Sequence, residues 1–203
     1  MKNSIWKIAT IISIIAVLLL FFVFLSQKKK YSYLESVYNQ QYEYRDTLNF
    51  YKRNFDMNSE ISGMRINNIK CNNKQQKYKI RDFISDKPLL VYRYTSSDCS
   101  SCVHAMVDSL NVNFSDFSED LLILSSFENE NDFYIFLKEE KILFPICLTD
   151  FRNFTWFPKT FGMGYFFLLT PDLNVSNFYM PDTMFPEISK DYLDRMKKII
   201  ENY

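Results

Sequence analysis

Two cysteines three positions apart, Cys99 and Cys102, carry the clearest chemistry in this chain, in the run Thr95-Ser96-Ser97-Asp98-Cys99-Ser100-Ser101-Cys102. A thiolate attacks a disulfide and a thiol does not, and free cysteine titrates near ~8.5. A helix N-terminus lowers that value through its unpaired N–H groups and its dipole. The i, i+3 spacing sets the second sulfur close behind the first, so a mixed disulfide can be resolved before it diffuses. Asp98 works against a low pKa if its carboxylate stays near Cys99. Ser100 and Ser101, between the thiols, are neither cationic nor rigid. The expectation is a moderate shift and a reducing or mildly reducing couple, unlike the strongest oxidants at about −120 mV. A static disulfide and a metal site are the competing uses of the spacing. Metal requires further ligands, and no second Cys-x-x-Cys supplies them. His104, the only histidine, would point roughly 140° away from Cys99 on a regular helix. It reads as a solvated helix residue, and neither metal nor cofactor is expected. Cys71 and Cys147 read as lone passengers, Cys147 as core packing beside Ile146 and Leu148. No nucleotide loop, Ser-centred elbow or paired-carboxylate motif is present.

The elements that must position the pair follow from periodicity. Leu89 to Tyr94 is an apolar run that predicts a buried strand, and Val103, Met106, Val107 and Leu110 predict a helix opening at Cys99 or Ser100. Asp98 is the expected helix cap. Downstream, Leu121–Ser125 reads as a strand, Glu128–Glu140 as a helix and Ile146–Leu148 as a short strand. Tyr165–Leu169 and Val175–Tyr179 read as a hairpin across Thr170-Pro171-Asp172-Leu173-Asn174, and Pro186–Asn202 as a terminal helix. The order β-α-β-α-β, then β-β-α, predicts one α/β domain with a mixed sheet flanked by helices.

The N-terminal third reads differently. Ile8 to Leu25 is nearly pure Ile, Leu, Val, Phe and Ala, ends at Lys28-Lys29-Lys30 and is preceded by Trp6. At about 1.5 Å per residue it nearly crosses a hydrocarbon core of roughly 30 Å. No small-x-small cleavage site follows, so an uncleaved transmembrane anchor is expected. Lysines on both sides leave the orientation undecided by charge. Tyr31 to Phe55 has no proline or glycine and a helical spacing of apolar residues, which predicts a juxtamembrane stalk helix or a coiled coil making a homodimer through residues 31–55. Residues 72–77 read as turn or linker, and Ile66–Ile69 as a strand. The expected domains are 1–30 (anchor), 31–60 (juxtamembrane helix), 61–77 (linker) and 78–203 (α/β domain). With 24 basic and 24 acidic residues, electrostatics gives no case for a nucleic-acid partner.

Cys-Ser-Ser-Cys after a core strand, in this order of elements, resembles the membrane-anchored thioredoxin-fold thiol-disulfide oxidoreductases of bacteria, the TlpA/ResA-like group. The resemblance covers roughly residues 78–203. The Asn-rich composition and the stretch from Phe161 to Pro181 also resemble relatives from Bacteroides-type organisms. It implies a thioredoxin-like fold, Cys99 as nucleophile and Cys102 as resolving thiol. It also implies a domain outside the cytoplasm, hence a single-pass inner-membrane protein with its C-terminal domain in the periplasm. Two positions depart from the family pattern. A cis-proline usually precedes the third core strand, where this chain has Gly164-Tyr165, with Pro158 further upstream. An acidic residue usually stands six positions before the first cysteine, where this chain has Arg93. Arg93 would favour a thiolate if it points at the pair, or snorkel from the strand end if not. Trp156, in the aromatic run before the last strands, would face a substrate or cap the core. The implied activity is membrane-tethered exchange on protein or peptide disulfides through Cys99 and Cys102, with Asp98, Arg93, Gly164, Tyr165 and Trp156 supporting. The alternative is a non-catalytic thioredoxin-fold binding or scaffold module held by a structural Cys99–Cys102 disulfide.

Overall fold

The computed structural model describes residues 2–73, 76–154 and 162–203, without the side chains of residues 2–16, 73 and 151. Residues 1–50 form one compact unit and residues 51–203 another. The chain opens with one continuous helix, α1 (Lys2–Ile61). No glycine or proline interrupts it, and Lys28-Lys29-Lys30 lies within it. It ends where Gly63 takes φ +86°, a conformation that only glycine enters without steric cost.

This corrects the expected division into an anchor and a separate juxtamembrane helix. Among the described residues no helix is long and apolar enough to cross a membrane. Of the expected anchor, Trp6 and residues 8–16 have side chains outside the described set. The described part, Val17–Leu25, is exposed. The transmembrane segment, the membrane as partner and the inner-membrane and periplasmic placement therefore find no spanning helix to rest on among the described residues.

The second unit is built on a seven-stranded sheet in the order β2-β1-β5-β4-β3-β6-β7. Its strands are β1 (Lys70–Asn73), β2 (Gln76–Lys79), β3 (Leu89–Thr95), β4 (Leu121–Ser126), β5 (Ile146–Leu148), β6 (Tyr165–Leu169) and β7 (Val175–Tyr179). The helices are α2 (Ser100–Asn113), α3 (Glu130–Glu139) and α4 (Pro186–Glu201). β3, β4 and β5 run parallel, because α2 and α3 make the crossovers. β6 returns antiparallel to β3, and β7 pairs antiparallel with β6. The sheet is mixed and flanked by helices, as the order of elements predicts. β3, β4 and β6 are buried nearly throughout, so they read as continuous apolar runs and not as alternation.

Side chains of β3 divide the core in two. Leu89 and Val91 join Leu122, Leu124, Phe167, Leu169 and Ile61 in one apolar cluster. On the alternate positions Tyr92 stacks on Phe166, whose ring meets Tyr192 of α4, and Tyr94 packs against Phe136 of α3. Of the linker expected at residues 72–77, residues 72, 73, 76 and 77 instead lie in two paired strands. β1 and β2 pair from Lys70↔Lys79 to Asn73↔Gln76, and β1 attaches to the sheet at Asn72↔Leu148. Ile66–Ile69, expected as a strand, is irregular, with one bridge nearby at Arg65↔Asn174.

Candidate redox site

The end of β3 delivers the cysteine pair to the start of α2. Asp98 closes the intervening turn: its Oδ2 accepts from Thr95 N–H at 2.7 Å and its own N–H donates to Thr95 O at 3.0 Å. Asp98 was the expected cap of α2, but that position belongs to Cys99. Cys99 Sγ accepts from Cys102 N–H at 3.3 Å, satisfying one of the orphan donors of the first turn. Ser101 Oγ lies 3.3 Å from the same sulfur.

Cys99 and Cys102 form a disulfide, with Cα atoms 5.2 Å apart. Cys99 is exposed and Cys102 half-buried behind it. Of the two sulfur-bearing residues, Cys99 is thus the more accessible. Its backbone is held from a second direction, since Cys99 N–H donates to Gly162 O at 2.6 Å. Gly162 takes φ +77°, which the tight approach to the helix start uses.

Gly164 and Tyr165 sit at the entry of β6, joined by trans peptides. A Cβ on Gly164 would lie 2.6 Å from the phenol oxygen of Tyr92 and 2.8 Å from its ring, so the position admits only glycine. Tyr165 is buried, pairs with Arg93 across β3 and β6, and its ring packs on Phe178. Burial pushes its phenol well up. Trp156 lies outside the described residues.

Arg93 is buried, at 2% exposure. It does not snorkel to the surface. Its Nη1 donates to Tyr94 O and its Nη2 to Ser126 Oγ at 3.0 Å, while the guanidinium lies 4.8 Å from the centre of the Phe154 ring. Ser126 Oγ in turn donates to Thr149 O at 2.6 Å. Burial lowers the Arg93 pKa, while Tyr165, Asp98 and Tyr94 nearby favour its charge.

The other cysteines are not lone residues. Cys71 on β1 and Cys147 on β5 are buried in the same apolar cluster on neighbouring strands. A hydrogen bond with Cys71, then burial, push the Cys147 thiol up. Sequence spacing could not show this pairing, because β1 reaches β5 only through the sheet. His104 is likewise engaged, between Ser100 and Glu140.

No family model matches this chain, and no curated protein does. Solved structures do. A cysteine-to-serine mutant of PrxQ from Xylella fastidiosa superposes with a TM-score of 0.53 at 16% identity, covering 68% of this chain and 95% of that one. The thioredoxin domain of a thiol-disulfide oxidoreductase from Bacteroides vulgatus gives a TM-score of 0.47 at 15% identity, covering 64% and 97%. Such identities speak to fold alone. The chain has a thioredoxin-like α/β fold with a disulfide-forming cysteine pair at a strand–helix junction. Resemblance to the membrane-anchored group is corrected to this fold, because the anchor it required is not found among the described residues.

Proposed function

We propose that this protein exchanges disulfides with protein or peptide thiols through Cys99 and Cys102. The observation that carries the proposal is the asymmetry of the pair: Cys99 exposed at the helix cap, Cys102 half-buried one turn behind. A purely structural disulfide needs no exposed sulfur at the positive end of a helix.

In the reducing direction, the Cys99 thiolate attacks one sulfur of the partner's disulfide. The Cys99–partner bond forms, the partner's S–S bond breaks, and the released partner thiolate takes a proton. Cys102, as thiolate, then attacks Cys99 Sγ. The Cys99–Cys102 bond closes and the second partner thiol leaves. Two electrons pass to the partner, and the reverse sequence oxidises a dithiol. The Cys102 N–H that already points at Cys99 Sγ would stabilise the thiolate, together with the helix dipole. The buried Arg93 adds positive charge behind the sheet end, and the fit of Gly164 against Tyr92 holds the strand entry beside Gly162.

Trapping tests the proposal. Cys102→Ser, offered a protein disulfide, should accumulate a mixed disulfide through Cys99, while Cys99→Ser should not. The wild type should reduce insulin disulfides in the presence of a thiol donor, with a potential well below about −120 mV. No trapped species and no insulin reduction would leave the pair as a static staple.

A further inference from the structure

Ser100, His104 and Glu140 form a hydrogen-bonded chain that disulfide exchange does not use. Ser100 Oγ lies 2.9 Å from His104 Nε2, and His104 Nδ1 contacts the Glu140 carboxylate. The i, i+4 spacing on α2 stacks Ser100 and His104 on one face. Glu140 comes from another element, the C-cap of α3, where its backbone N–H donates to Phe136 O at 2.9 Å. The Phe136 ring, 5.8 Å from the imidazole, packs beside it.

The chemistry of the groups fixes the direction of the chain. A carboxylate only accepts, so in the neutral imidazole the proton sits on Nδ1 and Nε2 is bare. Ser100 must then donate its hydroxyl proton to Nε2. Hydroxyl to imidazole to carboxylate is the polarity of an activated serine, with the base oriented by a third group. The carboxylate is largely withdrawn from water, its side chain being 14% exposed, while Ser100 is exposed. Ser100 also opens α2, where the N–H groups of Ser100 and Ser101 have no i−4 helical carbonyl to donate to and can face a developing oxyanion.

We propose that Ser100 is a nucleophile toward small carboxylic esters, with His104 as general base and Glu140 as its orienting partner. Ser100 Oγ attacks the ester carbonyl carbon while its proton passes to His104 Nε2. The C–O bond to the alcohol breaks, and that alcohol leaves with the proton from His104. Water, deprotonated by the same imidazole, attacks the acyl carbon, the Ser100 Oγ–acyl bond breaks to give the free acid, and His104 returns the proton to Ser100 Oγ. No oxidant or reductant takes part.

The test uses the full chain in its oxidised form, so that Cys99 and Cys102 offer no thiol. The probes are p-nitrophenyl acetate and an alkyl fluorophosphonate. The expected result is nitrophenol release and a single phosphonyl adduct mapped by mass spectrometry to Ser100. Ser100→Ala should abolish the adduct, His104→Asn should slow its formation about 100-fold, in line with general-base catalysis, and Glu140→Gln by a smaller factor. Circular dichroism should show all three variants folded, since the substituted side chains lie outside the core. Absence of an adduct at Ser100, or an adduct whose rate is unchanged by His104→Asn, would overturn the proposal.

Discussion

Arg93 shows how much a single residue can escape a pattern reading. Its place six positions before Cys99 is legible in the sequence, but its fate is not. Besides Tyr94 O on its own strand, it is held by Ser126 of β4, which meets β3 only in the sheet, and Ser126 is in turn held by Thr149 just after β5. No salt bridge to a carboxylate reaches Arg93 among the described residues, and its Nε has no hydrogen-bond partner there. A buried charge held this way contributes less than its packing volume does. Arg93→Met, which keeps the stem and drops the charge, should therefore be close to neutral in stability. Arg93→Ala should cost about 2–4 kcal/mol through the cavity beside Phe154. Urea unfolding of the two variants measures the difference, and equal losses would mean that the charge matters more than the volume. Gly164 makes the opposite case, a position whose importance is steric. Tyr92 is buried and stacked on Phe166, so it cannot swing away from a new methyl group. Gly164→Ala should lower stability by about 1–3 kcal/mol, read by the same unfolding curves. An unchanged midpoint would show that the strand entry can shift.

Elements were legible where a local pattern sufficed. β3, α2, β4, α3, β5, β6, β7 and α4 follow from runs and periods that lie within each segment. The β1–β2 hairpin was missed because Asn72, Asn73 and Gln76 look like a turn. They form strands because β1 covers the edge of β5, a tertiary gain that outweighs weak β propensity. The other sheet edge is finished in a way no periodicity announces. β7 has an open side, and the last turns of α1 close it with side-chain amides. Asn54 Oδ1 accepts from Met180 N–H at 2.6 Å while its Nδ2 donates to Met180 O at 3.2 Å. Asn58 Oδ1 accepts from Phe178 N–H at 2.8 Å, and Gly63 N–H and Met64 O continue the pairing at Val175. One amide thus does what a neighbouring strand would do, and an edge that could template aggregation is covered. Asn54→Ala leaves both Met180 backbone groups buried without these partners. It should destabilise by about 1–3 kcal/mol and speed hydrogen exchange at Met180. Retained protection at Met180 would show that another group takes over.

The whole molecule is unusual in how many phenols it buries, and this sets its limit at high pH. Tyr92, Tyr94, Tyr165, Tyr179 and Tyr192 belong to β3, β6, β7 and α4, and all five are buried. Tyr92, Tyr94 and Tyr165 are pushed up well beyond the ordinary phenol range, chiefly by burial. Tyr192 moves the same way for the same reason. Tyr179 is pushed up to about 12, again by burial first, although its hydrogen bond with Ser189 pulls the other way. For an acid whose folded pKa lies above its unfolded value, the neutral form is the one the fold prefers. The contribution to stability is complete below the unfolded pKa of about 10 and is lost as pH rises through the folded value. For Tyr179 that window runs from about 10 to about 12. Burial holds the other four neutral more strongly, so their ionisation is expected to accompany opening of the core. Both halves of the core are involved, because Tyr165 lies in the apolar cluster and Tyr92 stacks on Phe166. Alkaline unfolding should therefore be cooperative, with far-UV circular dichroism lost above pH ~10 in the same transition in which the tyrosinate absorbance of these five residues appears. Replacing Tyr192 by Phe removes one phenol, which donates to Asn177 O, and should raise the alkaline midpoint while shrinking the absorbance step. Tyrosinate absorbance that reached its full value before the dichroism changed would show that the phenols ionise in the folded protein, and the linkage would not hold.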